Sequence, residues 1–161
     1  MNAARAPSAA ALHALAAVLF LLASLALRFS TFGDTNLFVD DVFYFLVGQR
    51  MHEGVLPYVD VWDRKPLGLF AIYWAIAAIS TSVVAYQVAA WLFVAATSWV
   101  IYRIVAEIGN RRGAVMAGLA YPLLMNAFDG FGCQSPVFYN LFIAAAGLLV
   151  VLEFDRLARG V

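Results

Sequence analysis

Four stretches of this 161-residue chain contain no Asp, Glu, Lys or Arg: residues 6–27, 66–102, 113–128 and 130–152. Between the first two, residues 28–65 hold ten of the twenty charges: Arg28, Asp34, Asp40, Asp41, Arg50, Glu53, Asp60, Asp63, Arg64 and Lys65. A charge at mid-bilayer costs about 2.5–3.5 kcal/mol on insertion scales. The uncharged stretches therefore suit lipid, and 28–65 suits water or the headgroup layer. Composition agrees: 65% of residues are hydrophobic and 12% charged, against about 45–50% and about 25% in a soluble domain. That leaves too little polar surface to cover a globule, which excludes a water-soluble domain, a disordered tail and a secreted disulfide scaffold. Ten basic and ten acidic residues cancel, so a nucleic-acid partner has no electrostatic support. The single cysteine, Cys133, cannot close an internal disulfide.

A crossing needs roughly 20 apolar residues. Leu12–Leu27 with its Ala-rich lead-in qualifies; Ser24-Leu25-Ala26 also resembles a signal-peptide cleavage site, and either reading puts 28–65 on the outer face. Further spans are expected over about Tyr86–Val105, Ala114–Phe128 and Val137–Leu152. Leu67–Ile79 is short for a span and suits a re-entrant or interfacial segment. If it dips in and returns, Arg111, Arg112, Arg156 and Arg159 all share the cytoplasmic side with Arg5, as the positive-inside rule favours. Asp129 then emerges with Asp40 and Asp41. No period-two pattern persists, so the expected fold is all-α: a polytopic membrane bundle of about four to five hydrophobic helices. The whole chain, 1–161, reads as one membrane domain with an outer loop over about 28–66.

That loop carries the chemistry. Asp40 suits a helix N-cap, Asp41 the first turn and Gly54 the stop. Val39, Val42, Phe43 and Leu46 fall at i, i+3, i+4 and i+7, which predicts a short amphipathic helix lying on the membrane surface by that face. Asp40-Asp41 taken alone reads as helix capping; its place in a loop between membrane segments, followed by a second polar cluster, opens the functional reading. Tyr58, Trp62, Arg64 and Lys65 suit either an interfacial anchor or a phosphate site at the rim of a lipid-accessible cavity.

Asp40-Asp41-x-x-Tyr44, then Gly54-x-x-Pro57-Tyr58-x-Asp60-x-Trp62-Asp63-x-Lys65-Pro66-Leu67, directly after a first membrane helix, resembles the polytopic C-type glycosyltransferases. The resemblance is to their bacterial branch of protein O-mannosyltransferase-like and lipid A aminoarabinose transferase-like enzymes. It covers about residues 10–155 and is most specific over 40–68. The family usually shows Asp-Glu at Asp40-Asp41 and a second proline after Lys65-Pro66.

The resemblance implies a glycosyltransferase that moves a sugar from a polyprenyl-phosphate donor to an acceptor hydroxyl. It would act on the outer face of a bacterial cytoplasmic (inner) membrane, multi-pass, with the N-terminus in the cytoplasm. Asp40 is then the general base, with Asp41 assisting or binding metal. Tyr44, Tyr58, Asp63, Arg64 and Lys65 are substrate-binding, Lys65 and Arg64 facing the departing phosphate. No cofactor is specified; a divalent metal at Asp41 and Asp129 stays open. Gln134 or Asp129 could correspond to a further acid of the family, and Gln134 cannot act as a base. Asp129 and His52 read more readily as surface residues than as ligands. Family members are longer, so the chain is expected to be an N-terminal module, inactive alone. The remaining helices of a full-length enzyme, or a split partner, would complete it, and membrane lipid would surround it.

The alternatives are a non-catalytic membrane scaffold or accessory subunit, and a fragment of a lipid-linked sugar flippase or transporter. A transporter should carry ionisable groups within its spans, and the long uncharged runs hold none.

Overall fold

The computed structural model describes residues 8–35, 38–128, 130, 132–158 and 160, with Asp155 and Ala158 described by their backbone alone. The described residues form helices and turns: α1 Ala9–Arg28, extended by a 3-10 turn Phe29–Thr31; α2 Val39–Met51; α3 Leu67–Ile79; α4 Val83–Ile108; α5 Arg111–Ala127; and α6 Ser135–Ala158. The uncharged stretches become α1 and α3 to α6. This is a helical membrane bundle. Among the described residues, three helices are long and apolar enough to cross a membrane: Ala9–Thr31, Val83–Ile108 and Ser135–Phe154. α5, with 17 residues, and α3, with 13, are shorter.

Side-chain oxygens settle several helix starts by accepting from first-turn N–H groups. Ser8 accepts from Ala11 N at 3.2 Å, Ser82 from Val84 N at 3.3 Å and Asn110 from Gly113 N at 2.9 Å.

Helix directions follow from the contacts. Along α1, His13 meets Tyr102, the Leu21 carbonyl accepts from Trp91 Nε1, and beyond the helix Gly33 N donates to Gln87. α1 and α4 are therefore antiparallel. α5 returns along α4, bringing Gly118 against Phe20 and the Ser98 carbonyl. α6 runs parallel to α4: Phe93 packs against Phe138 and Phe142, and Gly147 lies near Ile104. Arg103, Arg111, Arg112 and Arg156 consequently gather at one end of the bundle, and the acid-rich loop caps the other.

α3 packs at the loop end. Its middle residue Tyr73 lies 5.8 Å, centroid to centroid, from Tyr86 in the first turn of α4, and Ser80–Ser82 join it directly to α4. α3 begins against the start of α6, where Pro66, Gly68 and Leu69 share a groove with Ser135 and Phe138. Against it packs α2, and here the structure corrects the expected amphipathic face. Val39 is 78% exposed and Leu46 50%, while Asp41, Tyr44, Phe45 and Gly48 are buried. The stripe has the same spacing, shifted by two residues to the opposite side of the helix. A hydrophobicity count misses it because one member is a carboxylate with partners and another a glycine. Gly48 is there for its lack of a side chain: a Cβ would fall 2.6 Å from the Tyr73 carbonyl carbon. Asp40 is likewise not the N-cap. The helix begins two residues earlier than an Asp40 cap requires, with Phe38 as cap and both Asp40 and Asp41 in the first turn, where carboxylates favour the dipole. Gly54, at φ +93°, does follow the helix end as expected. A core of Tyr44, Phe45, Phe70, Tyr73, Tyr86 and Phe138 locks α2, α3, α4 and α6 together at this end.

Candidate functional site

The helical pitch separates the two adjacent carboxylates. Asp40 is exposed. One turn later on the same side, the Tyr44 hydroxyl donates to Asp40 Oδ2 across a long 3.4 Å, and the Lys65 ammonium stands over the Tyr44 ring, 5.7 Å from its centroid. Tyr44 thus links the base expected from sequence to the cation expected from sequence. Burial, then the Asp40 and Asp63 charges, push the Tyr44 phenol above its ordinary value, so it remains a hydrogen-bond donor at neutral pH.

Lys65 is held by the turn that precedes it. Tyr58 adopts a left-handed φ of +70°, its N–H donates to the Val61 carbonyl at 2.7 Å and its hydroxyl donates to the Lys65 carbonyl at 2.6 Å. Asp63 Oδ1 accepts from Lys65 N at 2.8 Å, and Asp60 Oδ2 from Leu56 N at 2.9 Å. These acids shape backbone. The Tyr58 ring packs edge-on against Trp62 and Phe70, while Arg64 is exposed without an ion-pair partner among the described residues.

Beside this turn lies an apolar groove of about 250 Å³ between the beginnings of α3 and α6, lined by Pro66, Gly68, Leu69, Ile72, Ser135 and Phe138 among others. The buried Ser135 hydroxyl there has no hydrogen-bond partner among the described residues.

Asp41 faces inward, 3% exposed. Its Oδ2 accepts from Cys133 N at 2.7 Å and its Oδ1 from Gln134 Nε2 at 2.8 Å. Sequence reasoning did not single out Arg28, which is buried at the end of α1 and donates to the carbonyls of Gly130, at 2.9 Å, and Gly132, at 2.6 Å. Tyr73 donates to the Cys133 carbonyl at 2.9 Å. Gly132 leaves room for this crowding, since a Cβ there would come within 3.0 Å of Asp41 Oδ2 and run into the Phe38 ring. The only advance sign of Arg28's part was a cation placed at the last residue of an otherwise uncharged helix. Burial pushes the Asp41 carboxyl up to about 6 against the pull of its two hydrogen bonds, and burial likewise pushes the Cys133 thiol up to about 12.

A divalent cation takes several oxygen ligands. Both Asp41 oxygens already face N–H donors, and among the described residues no three His, Cys, Asp or Glu side chains gather. Asp129 lies outside the described residues. The described residues do not fit a metal. His52 is exposed, stacked on Trp74 with Nε2 donating to the Trp74 carbonyl at 2.9 Å.

Comparison of the chain with protein-family models, with curated proteins and with solved structures finds no match.

Proposed function

We propose that this chain is a glycosyltransferase module that moves a sugar from a polyprenyl-phosphate donor to an acceptor hydroxyl at the outer face of a bacterial cytoplasmic membrane. The N-terminus and the Arg103, Arg111, Arg112 and Arg156 end lie in the cytoplasm, and α1, α4, α5 and α6 cross. The observation that carries the reading is the line Asp40–Tyr44–Lys65 opening beside the apolar groove. It supplies a solvent-facing carboxylate, a fixed donor, a cation and an apolar seat in sequence.

In the transfer, the acceptor oxygen bonds to the anomeric carbon as that carbon's bond to the phosphate oxygen breaks. Asp40 takes the acceptor proton, and the electron pair leaves with the lipid phosphate, whose growing charge Lys65 offsets. Tyr44 orients the Asp40 carboxylate. The lipid's apolar chain lies along the groove that starts at Pro66. Asp41 acts at one remove, anchoring the segment before α6. The resemblance of residues 40–68 to the C-type glycosyltransferases supports the same assignment.

The test is sugar transfer from a radiolabelled polyprenyl-phosphate donor in membranes of cells expressing the gene at its native locus. Asp40→Asn should lower transfer by roughly 10²–10⁴-fold with unchanged protein in the membrane. Unchanged transfer would leave the second reading, a non-catalytic scaffold. That reading is favoured by the structural use of Asp41, Asp60 and Asp63, each spent on hydrogen bonds within the fold.

A further inference from the structure

Two donors converge on Asp41, and they are not equivalent. The Cys133 N–H on Oδ2 belongs to the backbone and can only donate; the Gln134 amide on Oδ1 has a donating end and an accepting end. Oδ2 therefore accepts whether Asp41 is ionised or not, and a proton taken from solvent must settle on Oδ1. There it converts an acceptor into a donor: one O–H bond forms on the carboxyl as one O–H bond of the hydronium that delivers the proton breaks, releasing water. The Gln134 amide, facing that O–H, then has to offer its oxygen in place of its nitrogen, a half-turn about its last side-chain bond. The amide end turned away from Asp41 meets no protein hydrogen-bonding group among the described residues, and Gln134 is only half-buried.

We propose that Asp41 and Gln134 form a proton-controlled hydrogen-bond switch at the loop end of the bundle. With Asp41 ionised, Gln134 presents its carbonyl to whatever binds there; with Asp41 protonated, it presents its amide N–H₂. The first state suits a ligand group that donates, such as a sugar or alcohol hydroxyl, and the second an acceptor such as a phosphate or carbonyl oxygen. The proposal stands apart from the transferase reading, because it needs only the contacts around Asp41.

The surroundings place the switch in a useful range. Burial pushes Asp41 up to about 6; the bonds from Cys133 and Gln134 pull it down, Asp40 on α2 raises it and Arg28 on α1 lowers it. The other titratable groups facing it are Tyr44 on α2, Tyr73 on α3, Tyr86 on α4 and Cys133 before α6. As phenols and a buried thiol they keep their protons near pH 6. Asp34 shares with Asp41 the lining of a cavity of about 10 Å³, room for roughly one water.

The experiment is infrared difference spectroscopy on the whole chain in lipid nanodiscs, titrated between about pH 5 and 7.5. Wild type should show a protonated-carboxyl band growing in around pH 6, accompanied by a shift of a side-chain amide carbonyl band. Asp41→Asn should abolish the carboxyl band. Gln134→Leu should abolish the amide shift and raise the carboxyl midpoint by about one pH unit, because the anion loses a donor. If Asp41→Asn fails to fold, Gln134→Leu decides the matter on its own, since it changes a half-exposed side chain. The proposal is overturned if no carboxyl titrates in that window, or if the midpoint and the amide band are the same in Gln134→Leu as in wild type.

Discussion

Asp40 and Asp41 are neighbours in sequence, about 100° apart around the helix, and the difference decides what each can do. Asp40 faces water beside Tyr44 and Lys65; Asp41 faces the protein. The pH dependence of stability follows from Asp41. Its folded value, about 6, lies above the ordinary 3.8, so the folded protein binds this proton more tightly than the unfolded chain does. The resulting stabilisation is complete below about pH 3.8 and is lost as the pH rises through 6. Asp41→Asn never ionises, so it should gain on wild type as the pH rises, by on the order of 2–3 kcal/mol between the two limits. Thermal unfolding of the two proteins in detergent at acidic and neutral pH measures this; a constant gap would contradict it. Asp41→Ala, in contrast, strands the Cys133 N–H and the Gln134 amide, and should destabilise at both pH values by about 1–3 kcal/mol. Much of the open half of the site was legible in sequence, because Asp40, Tyr44 and Lys65 are charged or aromatic residues gathered in one polar loop. The buried half was not. Cys133 and Gln134 meet Asp41, and Arg28 meets the Gly130 and Gly132 carbonyls, across about a hundred residues of chain, and the backbone groups of Cys133, Gly130 and Gly132 leave no trace in side-chain pattern.

At the scale of elements, the joint between α2 and α3 is the most sensitive contact. Gly48 lies on the Tyr73–Trp74 backbone with no space for even a methyl group, so Gly48→Ala must push the helices apart. Overpacking of this kind costs about 1–3 kcal/mol. Because α2 carries Asp40 and Tyr44 and α3 follows Lys65, the variant should also separate the two halves of the site. We expect a lower unfolding temperature together with lower transfer in the assay above; a variant as stable as wild type would mean that the two helices can slide. The helices themselves were readable from the uncharged runs, to within a few residues at each end. The face of α2 was not, since apolar periodicity assigns a glycine and an aspartate to the solvent side. Here close approach and a pair of hydrogen bonds outweigh that preference.

For the whole molecule, charge and contacts give the proposed orientation something to be tested against. The basic ends of α4, α5 and α6 lie opposite the acidic loop, and α3 packs with α2 at the loop end. A topology reporter inserted after Gly113 should read cytoplasmic and one inserted after Gly54 periplasmic, the outcome that a return of α3 requires. A periplasmic signal after Gly113 would mean that α3 crosses. Among the described residues, α1, α4 and α5 pack around Tyr102 and α6 lies near Ile104, whereas α2 and α3 join them near Tyr86. In the proposed topology the body therefore tapers, displacing more lipid from one leaflet than from the other, and the surrounding bilayer must relax its packing unevenly to seal against it.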